Sequence, residues 1–159
     1  MLSFKRTVYN DPDFLLLVNQ LDEDLRNRYQ EYQDIFTPLN KMDNTVKVIV
    51  AYNENQALGC GALRPMQEEH TIELKRMFVH PSSRGRGISK ELLKELENWA
   101  IEQGNTSILL ETGIRQPEAI ALYQQSGYTV TEAFGDYRHI EASMCMKKEV
   151  DPRKSPVSR

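Results

Sequence analysis

The sequence predicts a mixed α/β domain in which a mostly antiparallel sheet is flanked by helices. Two observations favour this class: runs rich in β-branched residues follow one another with short turns over residues 46–79, and helical periodicities then alternate with apolar strands. A length of 159 residues with 40% hydrophobic content fits one compact domain. We assign that domain to residues 1–150 and predict that the polar, proline-bearing residues 151–159 form a disordered tail.

One helix and three strands are predicted in the first half of the chain. Residues 11–33 place leucines and other apolar side chains at helical spacing, either as one helix or as one interrupted near Arg26. "VKVIVAYN" (46–53) is a strand, and "ALGCGALRP" (57–65) is its antiparallel partner across a short polar turn. "HTIELKRMFV" (70–79) is a third strand, in which apolar and charged residues alternate.

Helices and strands alternate in the second half. "SKELLKELENWAIEQG" (89–104) carries one apolar face and ends at a glycine, which is typical of a helix terminus. "SILLET" (107–112) is nearly all apolar, as a central strand covered on both faces would be. A second helix begins with a proline at 117–127. Two last strands, with the loop "DYRHIE" between them, are predicted at 128–135 and 142–150.

Composition limits the classes of partner. The formal net charge is −3 and both signs are mixed along the chain, so there is no overall electrostatic case for nucleic acid or an anionic membrane. No apolar run is long enough for a leader or a membrane span, and we expect a cytoplasmic protein. Cys60 and Cys145 are expected to be buried thiols, and the three scattered histidines show no metal-ligand spacing, so no metal is expected.

The stretch "RGRGIS" (Arg84–Ser89) lies between a strand and a helix. Two glycines allow close backbone approach, and the amino terminus of the next helix offers free N–H groups, which together form a plausible anion cradle. No Walker A octet is present, and a dinucleotide fingerprint would need glycine at Lys90. On the residues alone, a surface turn with solvated arginines remains the alternative.

A family resemblance narrows the choice of anion. "VHPSSRGRGISKELL" and "LLETGIRQPEAIALYQQSGY" resemble the Gcn5-related N-acetyltransferase (GNAT) superfamily, whose acetyl-coenzyme A signature is [Q/R]-x-x-G-x-[G/A]. Ser89 replaces the usual final glycine or alanine, and a second signature is Ala121-Leu122-Tyr123 followed by Ser126-Gly127-Tyr128. The resemblance covers residues 46–147. It implies the GNAT fold, with a splayed central strand pair, and acetyl-coenzyme A as co-substrate.

The resemblance also implies which residues bind acetyl-coenzyme A. The amides of the glycine-containing loop would hold the pyrophosphate, the last residues of the preceding strand would pair their backbone edge with the pantetheine arm, and a glutamine stands where the family often has a cofactor-binding asparagine. These residues are Met77, Phe78, Val79, Arg84, Gly85, Arg86, Gly87, Ile88, Ser89, Gln116 and Tyr123.

Direct acetyl transfer needs a base for the amine and an acid for the departing thiolate. The resemblance implies that Tyr123 is the acid, and that Glu111 or Glu73 is the base. Glu111 lies within the apolar run "SILLETG", where desolvation would raise the pKa of its carboxyl toward neutrality. A structural role remains the alternative for each carboxylate, and a packed helix tyrosine is the alternative for Tyr123.

The acceptor is expected to be a small amine or amino-acid-like molecule. Asp22 and Glu23 lie in the acidic run of the first predicted helix and would favour a cationic acceptor, unless they only form a solvated face. Tyr137 and Arg138 lie where relatives shape the acceptor pocket. The alternative function is a non-catalytic acyl-coenzyme A sensor or partner-binding module of the same fold. Members of the superfamily often dimerise, so the resemblance allows a homodimer, although these residues do not specify the oligomeric state.

Overall fold

The computed structural model describes residues 1–28 and 42–151. The chain divides into two compact units: Met1–Arg64 with Lys75–Leu96, and Pro65–Leu74 with the described residues from Glu97 onward. The prediction of a single domain over residues 1–150 stays a prediction. Residues 29–33 of the predicted first helix and residues 152–159 of the predicted tail lie outside the described residues.

Four neighbouring strand segments form the sheet of the first unit. Their order is β1 (Leu2–Val8), β2 (Lys47–Asn53), β3 (Gln56–Pro65) and the second half of β4 (Thr71–Val79). β1 pairs antiparallel with β2, and β2 pairs antiparallel with β3. β1 was not predicted. Its lysine and arginine interrupt the apolar alternation, as is common in a strand that has a neighbour on one side only.

The first unit also contains α1 (Pro12–Arg28). The predicted helix is confirmed over these residues, and no break occurs near Arg26. Asp11 caps its start, because its Oδ1 accepts hydrogen bonds from the amides of Asp13 at 2.9 Å and Phe14 at 3.3 Å. One face of the helix is buried in a hydrophobic core beside β2 and β3. The residues of this core are Phe14, Leu17, Leu21, Val46, Val48, Val50, Cys60, Ala62 and Phe78.

β4 differs from the predicted alternation of apolar and charged residues. Glu73, Lys75 and Arg76 are all buried, so the pattern does not separate a buried face from an exposed one. Arg76 has a φ of +58°, in the left-handed region that costs energy for residues other than glycine. Its Nη2 donates to Asp22 Oδ1 at 2.6 Å, which ties α1 to this strand within the first unit.

The sheet of the second unit mixes strand directions. Its order is the first half of β4, β5 (Ser107–Gly113), β7 (Ser143–Glu149) and β6 (Thr129–Val130). β5 runs parallel to β4 and antiparallel to β7. Leu109 and both its neighbours in β5 are buried, which confirms the predicted central strand. β6 has two residues, fewer than the strand predicted at 128–135, and the residues that follow include a 3-10 turn at Gly135–His139.

Two further helices complete the described residues. α2 (Ile88–Glu102) begins in the first unit and ends in the second, and α3 (Pro117–Gln125) belongs to the second. The apolar face of α2 is buried as predicted, although Trp99 is only half-buried and Asn98 is buried. Cys60 and Cys145 are free and buried, as predicted. No described helix has the length and apolar content that crossing a membrane requires.

Candidate active site

The loop of residues 84–89 has a backbone shape that glycine makes accessible. Gly85 and Gly87 have φ angles of +82° and +76°, and a β-carbon added at either would meet no heavy atom within 4 Å. Residues 84–87 are exposed, whereas Ile88, the first residue of α2, is buried. Open space therefore faces the two glycines at a helix amino terminus, and this arrangement suits a phosphate group.

Arg84 turns back onto the strand that precedes the loop. Its Nε donates to the carbonyl oxygen of Val79 at 2.9 Å, and its guanidinium carbon lies 5.7 Å from the ring centroid of Phe78. Phe78 and Val79 are buried, while Met77 is half-buried. The carbonyl of Val79, part of the predicted cofactor-binding edge, is thus engaged by Arg84. Arg86, the other arginine of the loop, is exposed.

In the second unit, Glu73 and Tyr137 form a buried pair. The hydroxyl of Tyr137 donates to Glu73 Oε2 at 2.9 Å, and the two residues are 7% and 6% exposed. Burial, followed by the negative charges of Glu73 and Glu111, raises the pKa of Tyr137. Tyr137 therefore remains a hydrogen-bond donor, and it holds the Glu73 carboxylate in one orientation.

Glu111 lies on the neighbouring strand, β5, and is half-buried. Its Oε2 accepts a hydrogen bond from the hydroxyl of Ser143 at 2.7 Å. Glu111 is opposite Cys145 in the pairing of β5 with β7. Sequence reasoning missed Ser143, because a serine at the start of a strand carries no local signal of its partner 32 positions away.

Tyr123 is buried on α3, with 6% of its surface exposed. Burial, followed by the negative charge of Glu111, raises the pKa of its hydroxyl, which therefore stays protonated at neutral pH. Glu111 acts electrostatically on Tyr137 as well. Two carboxylates and two protonated tyrosines are thus gathered in the second unit, and this set can both accept and donate a proton.

The structure places the remaining predicted residues as follows. Gln116 precedes α3, and its Oε1 accepts a hydrogen bond from the amide of Gly113 at 3.1 Å. Asp22 is paired with Arg76, so its charge is largely compensated. Glu23 and Arg138 are exposed. In the described ranges 1–28 and 42–151, no group of three or more His, Cys, Asp or Glu residues could hold a metal ion.

Known proteins resemble this chain along most of its length. The model of the acetyltransferase (GNAT) family matches residues 12–128. The protein named IAA acetyltransferase from Azospirillum brasilense is 34% identical over 133 residues, which cover 83% of this chain and 87% of the relative.

Solved structures are similar as well. That of a proposed acyl-CoA N-acyltransferase from Klebsiella pneumoniae superposes with a TM-score of 0.79 at 30% identity, covering 95% of this chain and 99% of the other. The PaiA N-acetyltransferase from Thermoplasma acidophilum, solved in complex with coenzyme A, superposes with a TM-score of 0.68 at 16% identity. The match covers 93% of this chain and 99% of the other. The predicted fold is therefore confirmed.

Proposed function

We propose that this chain, which belongs to the acetyltransferase (GNAT) family and is an acyltransferase, transfers acetyl from acetyl-coenzyme A directly to a primary amine. The proposal rests on four residues of the second unit. Glu73 and Glu111 supply carboxylates, and Tyr123 and Tyr137 supply hydroxyls that raised pKa values keep protonated. Such a set can supply the acid and the base that the reaction needs without a metal.

The loop of the first unit would hold the phosphates of acetyl-coenzyme A. Gly85 and Gly87 have positive φ angles and no β-carbon, so the space beside the loop stays open and backbone amides can approach a pyrophosphate. Arg84 and Arg86 supply positive charge beside it. Binding should therefore weaken as salt concentration rises.

Tyr123 is the proposed acid. The amine nitrogen attacks the thioester carbon, a nitrogen–carbon bond forms and the carbon–sulfur bond breaks, and the sulfur leaves with the proton of the Tyr123 hydroxyl. The proton that the nitrogen loses as the amide forms is then taken up by the Tyr123 phenolate, which restores the hydroxyl. A buried phenol whose pKa is raised carries that proton throughout the physiological pH range.

The base is Glu73 or Glu111, and the two differ in their surroundings. Glu73 is buried and accepts a hydrogen bond from Tyr137, whereas Glu111 is half-buried and accepts one from Ser143. Either carboxylate would take the ammonium proton, directly or through a water, and leave the neutral amine that attacks.

The acceptor is proposed to be a small amine or an amino-acid-like molecule. Because Asp22 is paired with Arg76, its charge is largely compensated. A preference for a cationic acceptor would therefore depend on Glu23, Glu73 and Glu111. We also propose that the protein acts in the cytoplasm as a monomer or homodimer, without nucleic acid or membrane partners. Light scattering would determine the oligomeric state.

An acceptor screen tests the proposal. Purified protein is incubated with acetyl-coenzyme A and a panel of free amino acids, linear diamines and short peptides, and both released thiol and acetylated product are measured. We expect turnover with at least one small amine. Faster acetylation of peptide amino termini would overturn the acceptor class, and binding of acetyl-coenzyme A with no product from any amine would favour the sensor alternative.

A further inference from the structure

Tyr128 belongs to a partly buried hydrogen-bonded network at the end of α3 that the proposed reaction does not use. The residue is 2% exposed, and its hydroxyl donates to Glu97 Oε2 at 2.9 Å. Lys148 Nζ lies 3.2 Å from both carboxylate oxygens of Glu97 and 5.7 Å from the centroid of the Tyr128 ring. Glu97 on α2, Lys148 on β7 and the turn after α3 are thereby joined within the second unit.

The same tyrosine contacts the proposed acid in two ways. The ring centroids of Tyr123 and Tyr128 are 5.7 Å apart, with an angle of 64° between the ring planes, which is an edge-type arrangement. The amide of Tyr128 also donates to the carbonyl oxygen of Tyr123 at 2.9 Å. Gly127, with a φ of +95°, makes the turn that brings the two residues together.

We infer that Tyr128 is a positioning residue: anchored by Glu97 and Lys148, its ring restricts the Tyr123 ring so that the Tyr123 hydroxyl is aimed at the departing sulfur. This inference rests on the proposed role of Tyr123 as the acid. An unsupported phenol on a helix can change its side-chain torsions, and small misplacements of a reacting group are expensive in rate. Burial, and then the Glu97 charge, raise the pKa of Tyr128, so the anchoring donor persists across the working pH range.

The first experiment is Tyr128→Phe, which keeps the ring and removes the hydroxyl that binds Glu97. With acetyl-coenzyme A and the amine accepted best in the screen, we expect kcat to fall about tenfold while KM for acetyl-coenzyme A stays within about twofold. Tyr52→Phe is the matched control, because it removes a tyrosine hydroxyl that donates to Asp13 at 2.7 Å in the first unit. It should leave kcat unchanged. An equal fall in both variants would overturn the inference.

The decisive measurement repeats Tyr128→Phe in a Tyr123→Phe background. If Tyr128 acts through the Tyr123 hydroxyl, the double variant is no slower than Tyr123→Phe alone. A further loss equal to that of the single variant means that the role is only structural, and the inference is then wrong. Should Tyr128→Phe not fold, Glu97→Gln carries the same cycle, because it removes the charge that Lys148 and the Tyr128 hydroxyl share.

The cycle also separates this inference from the proposed function. Normal turnover by Tyr123→Phe would show that another group is the acid, and the proposed mechanism would fail together with the inference. Slow turnover by Tyr123→Phe with normal turnover by Tyr128→Phe would keep the acid and overturn only the positioning role.

Discussion

The loop of residues 84–89 and the buried pair of Glu73 and Tyr137 are built by opposite means. Residues 84–87 of the loop are exposed, and their shape comes from the backbone, through positive φ angles at Gly85 and Gly87. The buried pair is defined by side chains, through a hydrogen bond between residues 64 positions apart. A loop of the first kind can be recognised in six letters, whereas a contact of the second kind exists only after folding.

This difference separates two classes of effect. Changes in the loop should alter the affinity for acetyl-coenzyme A, because backbone amides bind equally well before and during the reaction. Changes in the buried group of the second unit should alter turnover, because proton transfer occurs only as bonds form and break.

Tyr123→Phe should have the largest effect on turnover. Removal of a general acid typically costs about 10² to 10⁴ in rate, and we expect a fall of kcat in that range with an unchanged dissociation constant for acetyl-coenzyme A. Because burial raises the pKa of Tyr123, the wild-type rate should show no loss from its deprotonation below about pH 10. Steady-state kinetics across pH, with Tyr52→Phe as the control, would check both statements. A weaker affinity at unchanged kcat would contradict them.

The two carboxylates can be ranked by paired variants. Glu73→Gln and Glu111→Gln keep the side-chain shape and remove the carboxylate. We expect kcat to fall by about 10² or more when the true base is replaced, and by less than about tenfold for the other residue. Tyr137→Phe and Ser143→Ala remove the respective hydrogen-bond donors and should give smaller losses in the same order. Equal, small losses for both glutamine variants would exclude each carboxylate as the base.

Gly87→Asp should abolish the stabilisation that acetyl-coenzyme A gives to the fold. At about a hundred times its dissociation constant, a ligand adds roughly 2.7 kcal/mol to the free energy of unfolding. Gly104→Asp is the matched control, because Gly104 also has a positive φ, +88°, and open space around its α-carbon. It should lose intrinsic stability yet keep the thermal shift with acetyl-coenzyme A. ATP, which should give no shift with either protein, is the control ligand; a larger shift with ATP would instead indicate a nucleotide site.

Asp11→Asn should have the smallest effect and should spare both regions. Burial tends to raise the pKa of Asp11, but hydrogen bonds from Thr7, the Phe14 amide and Lys5 outweigh it and lower the pKa overall. A carboxyl whose pKa is lowered by folding stabilises the fold at pH values above its unfolded-state pKa, near about 3.9. That stabilisation is lost as the pH falls through the pKa of the folded state. We expect the free energy of unfolding of the wild type to exceed that of the variant by about 1 kcal/mol or less at pH 7, and this difference to shrink below about pH 4.

Urea unfolding at several pH values measures this difference in stability. Unchanged kcat and an unchanged acetyl-coenzyme A shift would confirm that Asp11 serves only the fold. A difference that grows at low pH would contradict the assigned direction of the pKa.

Local sequence patterns predicted most of the elements but not their ends. The apolar run of β5 and the glycine at the end of α2 indicated their elements directly. β1 was missed because its pairing with β2, and not its own composition, makes it a strand. β6 is shorter than predicted: just after it, the Thr131 amide donates to the carbonyl oxygen of Cys145, and the 3-10 turn at Gly135–His139 follows.

The sequence by itself determined the family, the α/β class and the glycine loop, since these depend on neighbouring residues and on backbone conformations that glycine allows. The tertiary structure alone decided that Asp22 faces Arg76, that Tyr137 binds Glu73 and that Tyr128 links Tyr123 to Glu97. The physical reason is that hydrogen bonds and charge pairs join residues far apart in the chain. A composition or a spacing cannot specify which distant partner a side chain meets once it is buried.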